Sequence, residues 1–184
     1  RSFYPAAYYD ASDWINKNTP KNAKILLVGD ARSIYFERQI INSNTRNKTA
    51  LVEYVKKAKD EDELFNILKS EKIEYIVLSP QEFIRLTSWN ILYWNKRDLE
   101  VYNKFFDKHL KQVYRTLPDL EIKPNVFLQN DENLFKQYVQ DAFCYIYIYQ
   151  IIDFVEEQDK INDYNLLNLK RMYRLDKQKE LFED

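Results

Sequence analysis

Few residues of this chain have types suited to covalent or metal chemistry. His109 is its one histidine and Cys144 its one cysteine, so a Ser-His-Asp or Cys-His relay would have to use His109 as the base that takes the nucleophile's proton. His109 lies in Lys108-His109-Leu110-Lys111 with no partner signal beside it. A cation in such a place suits the carboxyl end of a helix, where free carbonyls concentrate negative potential, and a helix-end role is expected of it. One cysteine forms neither an intrachain disulfide nor a multi-cysteine zinc site, and it leaves the redox compartment open. Asp60-Glu61-Asp62-Glu63 puts four acids in a row. Calcium loops space their ligands around a turn with glycine, so this run is expected to be the solvated first turn of a helix. No catalytic residue and no metal ligand is assigned.

Phosphate-binding loops are limited by glycine, because backbone must come close to the phosphate. Gly29 is the only glycine, which excludes both the three-glycine dinucleotide fingerprint and a Walker A loop, and no cofactor is expected. The position of Gly29 is still informative. It ends the apolar run Lys24–Val28 (KILLV) and is followed by Asp30, Ala31 and Arg32. Open α/β sheets take ligands beyond the carboxyl ends of their strands, and Ser79 and Arg85 follow a second apolar run, Ile73–Leu78 (IEYIVL). Gly29, Asp30, Arg32, Ser79 and Arg85 therefore form a candidate ligand site. The competing reading gives Asp30 to a turn cap and pairs Arg32 or Arg85 with a carboxylate. Trp89, Tyr93 and Trp94 suit a carbohydrate or membrane-interface contact, though core packing is the commoner use of large aromatics.

These residues must be held by elements that the pattern predicts. KILLV and IEYIVL are continuous apolar runs bounded by turn residues, as in parallel strands covered on both faces. A short helix through Trp14, capped by Asp10 or Ser12, is expected to end before Pro20. Ser33 opens a helical turn leading to a short strand around residues 38–42. Thr49 starts a helix with Leu51, Val52 and Val55 inward, and Asp60 caps another whose Leu64, Phe65 and Leu68 recur at helical spacing. The strand, helix, strand order implies a right-handed parallel crossover. A short helix over 81–86 and a stronger one carrying Leu99, Tyr102, Phe105, Phe106 and Leu110 come next. Strands are expected at 112–116 and 143–151, the second alternating Tyr145, Tyr147 and Tyr149 with Ile146 and Ile148, as beside a sheet edge. An insertion spans 118–141, and a leucine-spaced, charged tail from Asp153 onward predicts a terminal helix or helix pair.

The fold class that results is α/β: a Rossmann-like three-layer sandwich with a mainly parallel central sheet, an antiparallel edge hairpin and C-terminal helices. At 184 residues, one domain is expected, with its core over about 8–151 and a helical extension over 152–184. Hydrophobic residues make up 45% and charged ones 31%, with 15 Tyr and 11 Phe, so the chain can bury enough apolar surface to fold. Its 28 basic and 29 acidic residues leave a formal charge of -1, which provides no field for collecting nucleic acid. The longest apolar run, 143–152, is far short of the roughly 20 residues that span a bilayer. With Arg1 first, Met172 the lone methionine and no signal peptide, the chain is expected to be cut from a longer protein.

Trp14-Ile15-Asn16, Pro20, the run from Ala23 to Arg32, Tyr35, Glu63-Leu64 with Leu68-Lys69, Ile73–Leu78, Arg85-Leu86, Phe105, Leu110, Val113-Tyr114 and the Tyr145 to Tyr149 alternation follow in order. Over about residues 8–151 this resembles the C-terminal soluble domain of bacterial multi-pass membrane glycosyltransferases of the GT-C type, related to the protein mannosyltransferase and aminoarabinose transferase group. The chain departs from that pattern at Lys72, where a glycine often stands, in the 118–141 insertion and in the tail after Asp153. The resemblance implies a parent that transfers sugar from a polyprenyl-phosphate donor, with its catalytic acid and lipid-phosphate contacts elsewhere. It implies a non-catalytic domain on the extracytoplasmic face, whose partners are the transmembrane part of the parent and a glycan or protein acceptor. From the residues alone, a stand-alone small-ligand binder and a protein-interaction module remain open.

Overall fold

The computed structural model describes residues 6–29, 32–42, 49–79, 95–116 and 146–159. Among them are four α-helices and one five-stranded sheet. In chain order these are α1 (Ala6–Asn18), β1 (Lys24–Val28), β2 (Gln39–Ile41), α2 (Ala50–Lys57), α3 (Glu61–Ser70), β3 (Ile73–Leu78), α4 (Lys96–His109), β4 (Leu110–Arg115) and β5 (Tyr147–Ile151). A single 3-10 turn follows at Glu157–Asp159. The expected helix over 81–86, the insertion over 118–141, the aromatics Trp89, Tyr93 and Trp94, and the tail beyond 159 lie outside the described residues.

The sheet order is β2-β1-β3-β5-β4. β1 pairs in parallel with β2 and β3, and β5 pairs antiparallel with both β3 and β4. It follows that four strands share one direction and β5 alone opposes them. The two apolar runs are neighbours, with Leu26 opposite Ile76 and Val28 opposite Leu78. Burial explains why both lack polar alternation. Ile25 and Leu27 pack with Tyr8, Ala11 and Ile15 of α1, and Leu26 and Val28 pack with residues of α2, α3 and α4. A strand covered on both faces needs apolar residues at every position. Each fully buried Leu, Ile or Val contributes about 1.5–3 kcal/mol relative to exposure, so these strands outweigh any cap or surface ion pair in fixing the centre of the fold.

The helix starts follow local chemistry. Thr49 takes the backbone N–H of Val52 and Asp60 that of Glu63, each satisfying one of the donors that a first turn leaves unpaired. Asn95 does the same for Asp98 at the head of α4. At the start of the chain the expectation fails. α1 begins at Ala6, and neither expected residue caps it: the Ser12 hydroxyl donates back to the Tyr9 carbonyl at 2.9 Å, while both Asp10 carboxylate oxygens accept from the Tyr114 hydroxyl at 3.0 Å. Short polar side chains bond the preceding turn as readily as the following one, so their presence does not fix a helix start.

Two further expectations change. β4 starts at Leu110, directly at the end of α4, and stops at Arg115. β5 is an interior strand, not one beside a solvated face: Tyr147, Ile148 and Tyr149 are all buried, and the Tyr149 ring meets Phe106 of α4 edge-on at 5.1 Å. Its period of two reports two different covered faces, one against α4 and one against α1. After β5 the described chain forms no α-helix. Val155 is buried there and donates its backbone N–H to the Lys108 carbonyl at 2.8 Å.

Candidate functional site

The strand order puts a topological switch between β1 and β3, because the chain leaves β1 for β2 on one side and returns to β3 on the other. Ligands in open α/β sheets favour the carboxyl ends at such a point. Of the five residues expected to meet here, Gly29, Arg32 and Ser79 are described; Asp30 and Arg85 lie outside the described residues. Gly29 is buried and has φ 89°. A Cβ would clash at this angle, which accounts for glycine at the strand end. The Ser79 N–H donates to the Val28 carbonyl at 2.9 Å, carrying the β1–β3 ladder one residue beyond the strands and bringing Ser79 beside Gly29.

Arg32 is held differently. Its guanidinium carbon lies 4.5 Å from the centroid of the Tyr8 ring on α1, a distance at which a cation is attracted to the aromatic face. The loop that carries it is moored to α1 by residues the sequence did not single out. Asn16 donates to the Tyr35 carbonyl and accepts from the Glu37 N–H, both at 2.9 Å. The Arg38 guanidinium reaches the Asn16 carbonyl at 2.6 Å, the Thr19 carbonyl at 2.9 Å and the Thr19 hydroxyl at 3.1 Å, so one planar fork satisfies the carboxyl end of a helix. The Tyr9 hydroxyl donates to that of Tyr35 at 3.2 Å. This bond, followed by partial desolvation, raises the Tyr35 phenol above its ordinary range. Ile34, at the tip of the same loop, is 83% exposed. Gly29 and Ser79 thus adjoin at the carboxyl ends of β1 and β3, while Arg32 packs over Tyr8 of α1.

His109 is the second locus of interest. It is the last residue of α4, as expected of a helix-end residue, yet its side chain is only 3% exposed. Its Nε2 is 3.3 Å from Asp62 Oδ1 and its Nδ1 is 3.2 Å from the Ile152 carbonyl, while the ring stacks on Phe65 at 4.4 Å. Asp62 also accepts from Lys108 Nζ at 2.6 and 2.8 Å. Lys108 first, and the His109 ring after it, hold the Asp62 carboxyl below the usual carboxylate range. The acid run is therefore a helix start, as expected, whose third member reaches across to α4. No sequence signal joins Asp62 to His109, since they are 47 residues apart. Among the described residues no cluster of His, Cys, Asp or Glu could hold a metal ion, and no helix is long and apolar enough to cross a membrane.

No protein-family model, no curated protein and no solved structure matches the chain.

Proposed function

We propose that the chain is a non-catalytic accessory domain of a membrane glycosyltransferase of the GT-C type that uses a polyprenyl-phosphate-sugar donor, and that it helps the parent select its acceptor. One observation supports this reading: the landmarks of the resemblance fall on successive elements of a single sheet-centred unit. Trp14 lies on α1, KILLV and Gly29 on and after β1, Leu64 and Leu68 on α3, IEYIVL on β3, Phe105 on α4, Val113 and Tyr114 on β4, and Tyr147 and Tyr149 on β5. A three-layer, Rossmann-like architecture belongs to the same proposal, supported by α1 packing on one side of the sheet and α2, α3 and α4 on the other. So do the extracytoplasmic location and the tether to a transmembrane part.

The test begins with the complete reading frame, in which about a dozen apolar segments of roughly 20 residues are expected upstream of Arg1. A parent lacking this domain should keep donor binding and lose transfer to its acceptor. The isolated domain should transfer nothing. The absence of upstream apolar segments, or sugar transfer by the isolated chain, would refute the proposal. A second reading, a small-ligand binder, is favoured by the positive φ of Gly29 at the switch between β1 and β3. It requires a ligand that raises the melting temperature of the wild-type chain and does so less for Arg32→Ala.

A further inference from the structure

We propose that His109, Asp62 and the Ile152 carbonyl form a proton-operated clamp that docks the segment after β5 onto α3 and α4. The inference does not depend on the glycosyltransferase reading. Both ring nitrogens face groups that only accept: Nε2 faces a carboxylate oxygen at 3.3 Å and Nδ1 a backbone carbonyl at 3.2 Å. A neutral imidazole carries one N–H, so either tautomer aims a lone pair at one of these oxygens; the imidazolium alone donates to both. The ring is closed in by Phe65, stacked at 4.4 Å, and by Phe105 at 5.7 Å, so water cannot readily supply the missing donor.

The surroundings are compatible with the extra charge. On α3, Asp62 touches the ring, and Asp60 and Glu61 act on Lys108 beside it. Lys108 is the opposing cation on α4, held by Asp62, and the carboxyl end of the α4 helix dipole favours positive charge. On the exit segment, Asp153 pairs with Lys69 at 3.9 Å and Asp159 with Lys111 at 2.7 Å. The same ring position fixes the backbone. Ile152 N–H donates to the His109 carbonyl at 2.9 Å and Val155 N–H to the Lys108 carbonyl at 2.8 Å. Loss of one ring proton therefore weakens a contact adjoining two backbone bonds, and segment 152–159 is the part of the fold it loosens.

Nuclear magnetic resonance on the wild-type chain tests this, with the ring nitrogens followed through their own titration while amide exchange is measured. As the ring loses its second proton, the protection of the Ile152 and Val155 amides should fall by about tenfold, the effect of stranding one buried acceptor. The strand amides of Leu26 and Ile76 should not change. In Asp62→Asn the side-chain amide can turn to donate to the neutral Nε2, so the same titration should leave protection unaltered. Asp62 is 59% exposed, and this variant should fold. The clamp is overturned if wild-type protection is constant through the titration, or if the fall persists undiminished in Asp62→Asn.

Discussion

Three residues carry more of the structure than their neighbours, each for a different reason. Gly29 occupies φ 89° at the end of β1, and Gly29→Ala should destabilise the chain by about 1–2 kcal/mol, the cost of a Cβ in the left-handed region, seen as a lower urea midpoint with unchanged slope. Asp62 is held below the usual carboxylate range by Lys108 and His109. A lowered folded-state value means the contribution is present above about pH 4 and is lost as pH falls through the depressed folded value. Asp62→Asn should therefore flatten the acid limb of the stability profile and leave the limb above pH 7 unaffected by carboxylate titration. Tyr102 has the opposite sign. Burial pushes its phenol well up, so its contribution is complete below about pH 10 and is lost as pH rises beyond it, and Tyr102→Phe should reduce the alkaline loss in a pH-dependent melt. Gly29 was legible in the sequence because the chain's one glycine directly follows an apolar run. The partnership of Asp62 with His109 was not, because a contact between residues 47 apart leaves no periodic trace.

At the scale of elements, caps and core strands differ in worth, and the difference is measurable. Thr49→Ala removes the acceptor for Val52 N–H at the head of α2 and should cost about 1 kcal/mol. Ile76→Ala, in the central strand and 1% exposed, should cost about 2–5 kcal/mol, since the surrounding side chains cannot fully close the cavity. A chemical denaturation series that ranked them in the reverse order would contradict this assignment of the core. The starts of α2 and α3 were legible because a cap and its helix are neighbours in sequence. The start of α1 was not: Asp10 and Ser12 look like caps, but one is used by Tyr114 on β4 and the other by the preceding turn. For β5, the alternation of tyrosine and isoleucine separated the residues of the two faces, but it did not show that the tyrosine face is buried as fully as the isoleucine face.

For the whole molecule, strand order decides where a ligand could sit and which residues share an end of the sheet. Local patterning supplied KILLV and IEYIVL as strands, and their largely apolar makeup, with Lys24 and Glu74 the charged positions, made a central place the natural expectation. It suggested an antiparallel hairpin at the sheet edge but could not supply the place of β5 between β3 and β4, because strand order is decided by long-range packing rather than by any local preference. The candidate site at Gly29 and Ser79, the proposed accessory role and the clamp after β5 all depend on this arrangement. It is tested most directly by backbone nuclear Overhauser contacts in the isolated chain. Leu26 should contact Ile76 in a parallel register, and Ile76 should contact Tyr149 in an antiparallel one. Contacts that paired β1 with β3 in opposite directions, or that joined β3 directly to β4, would contradict it.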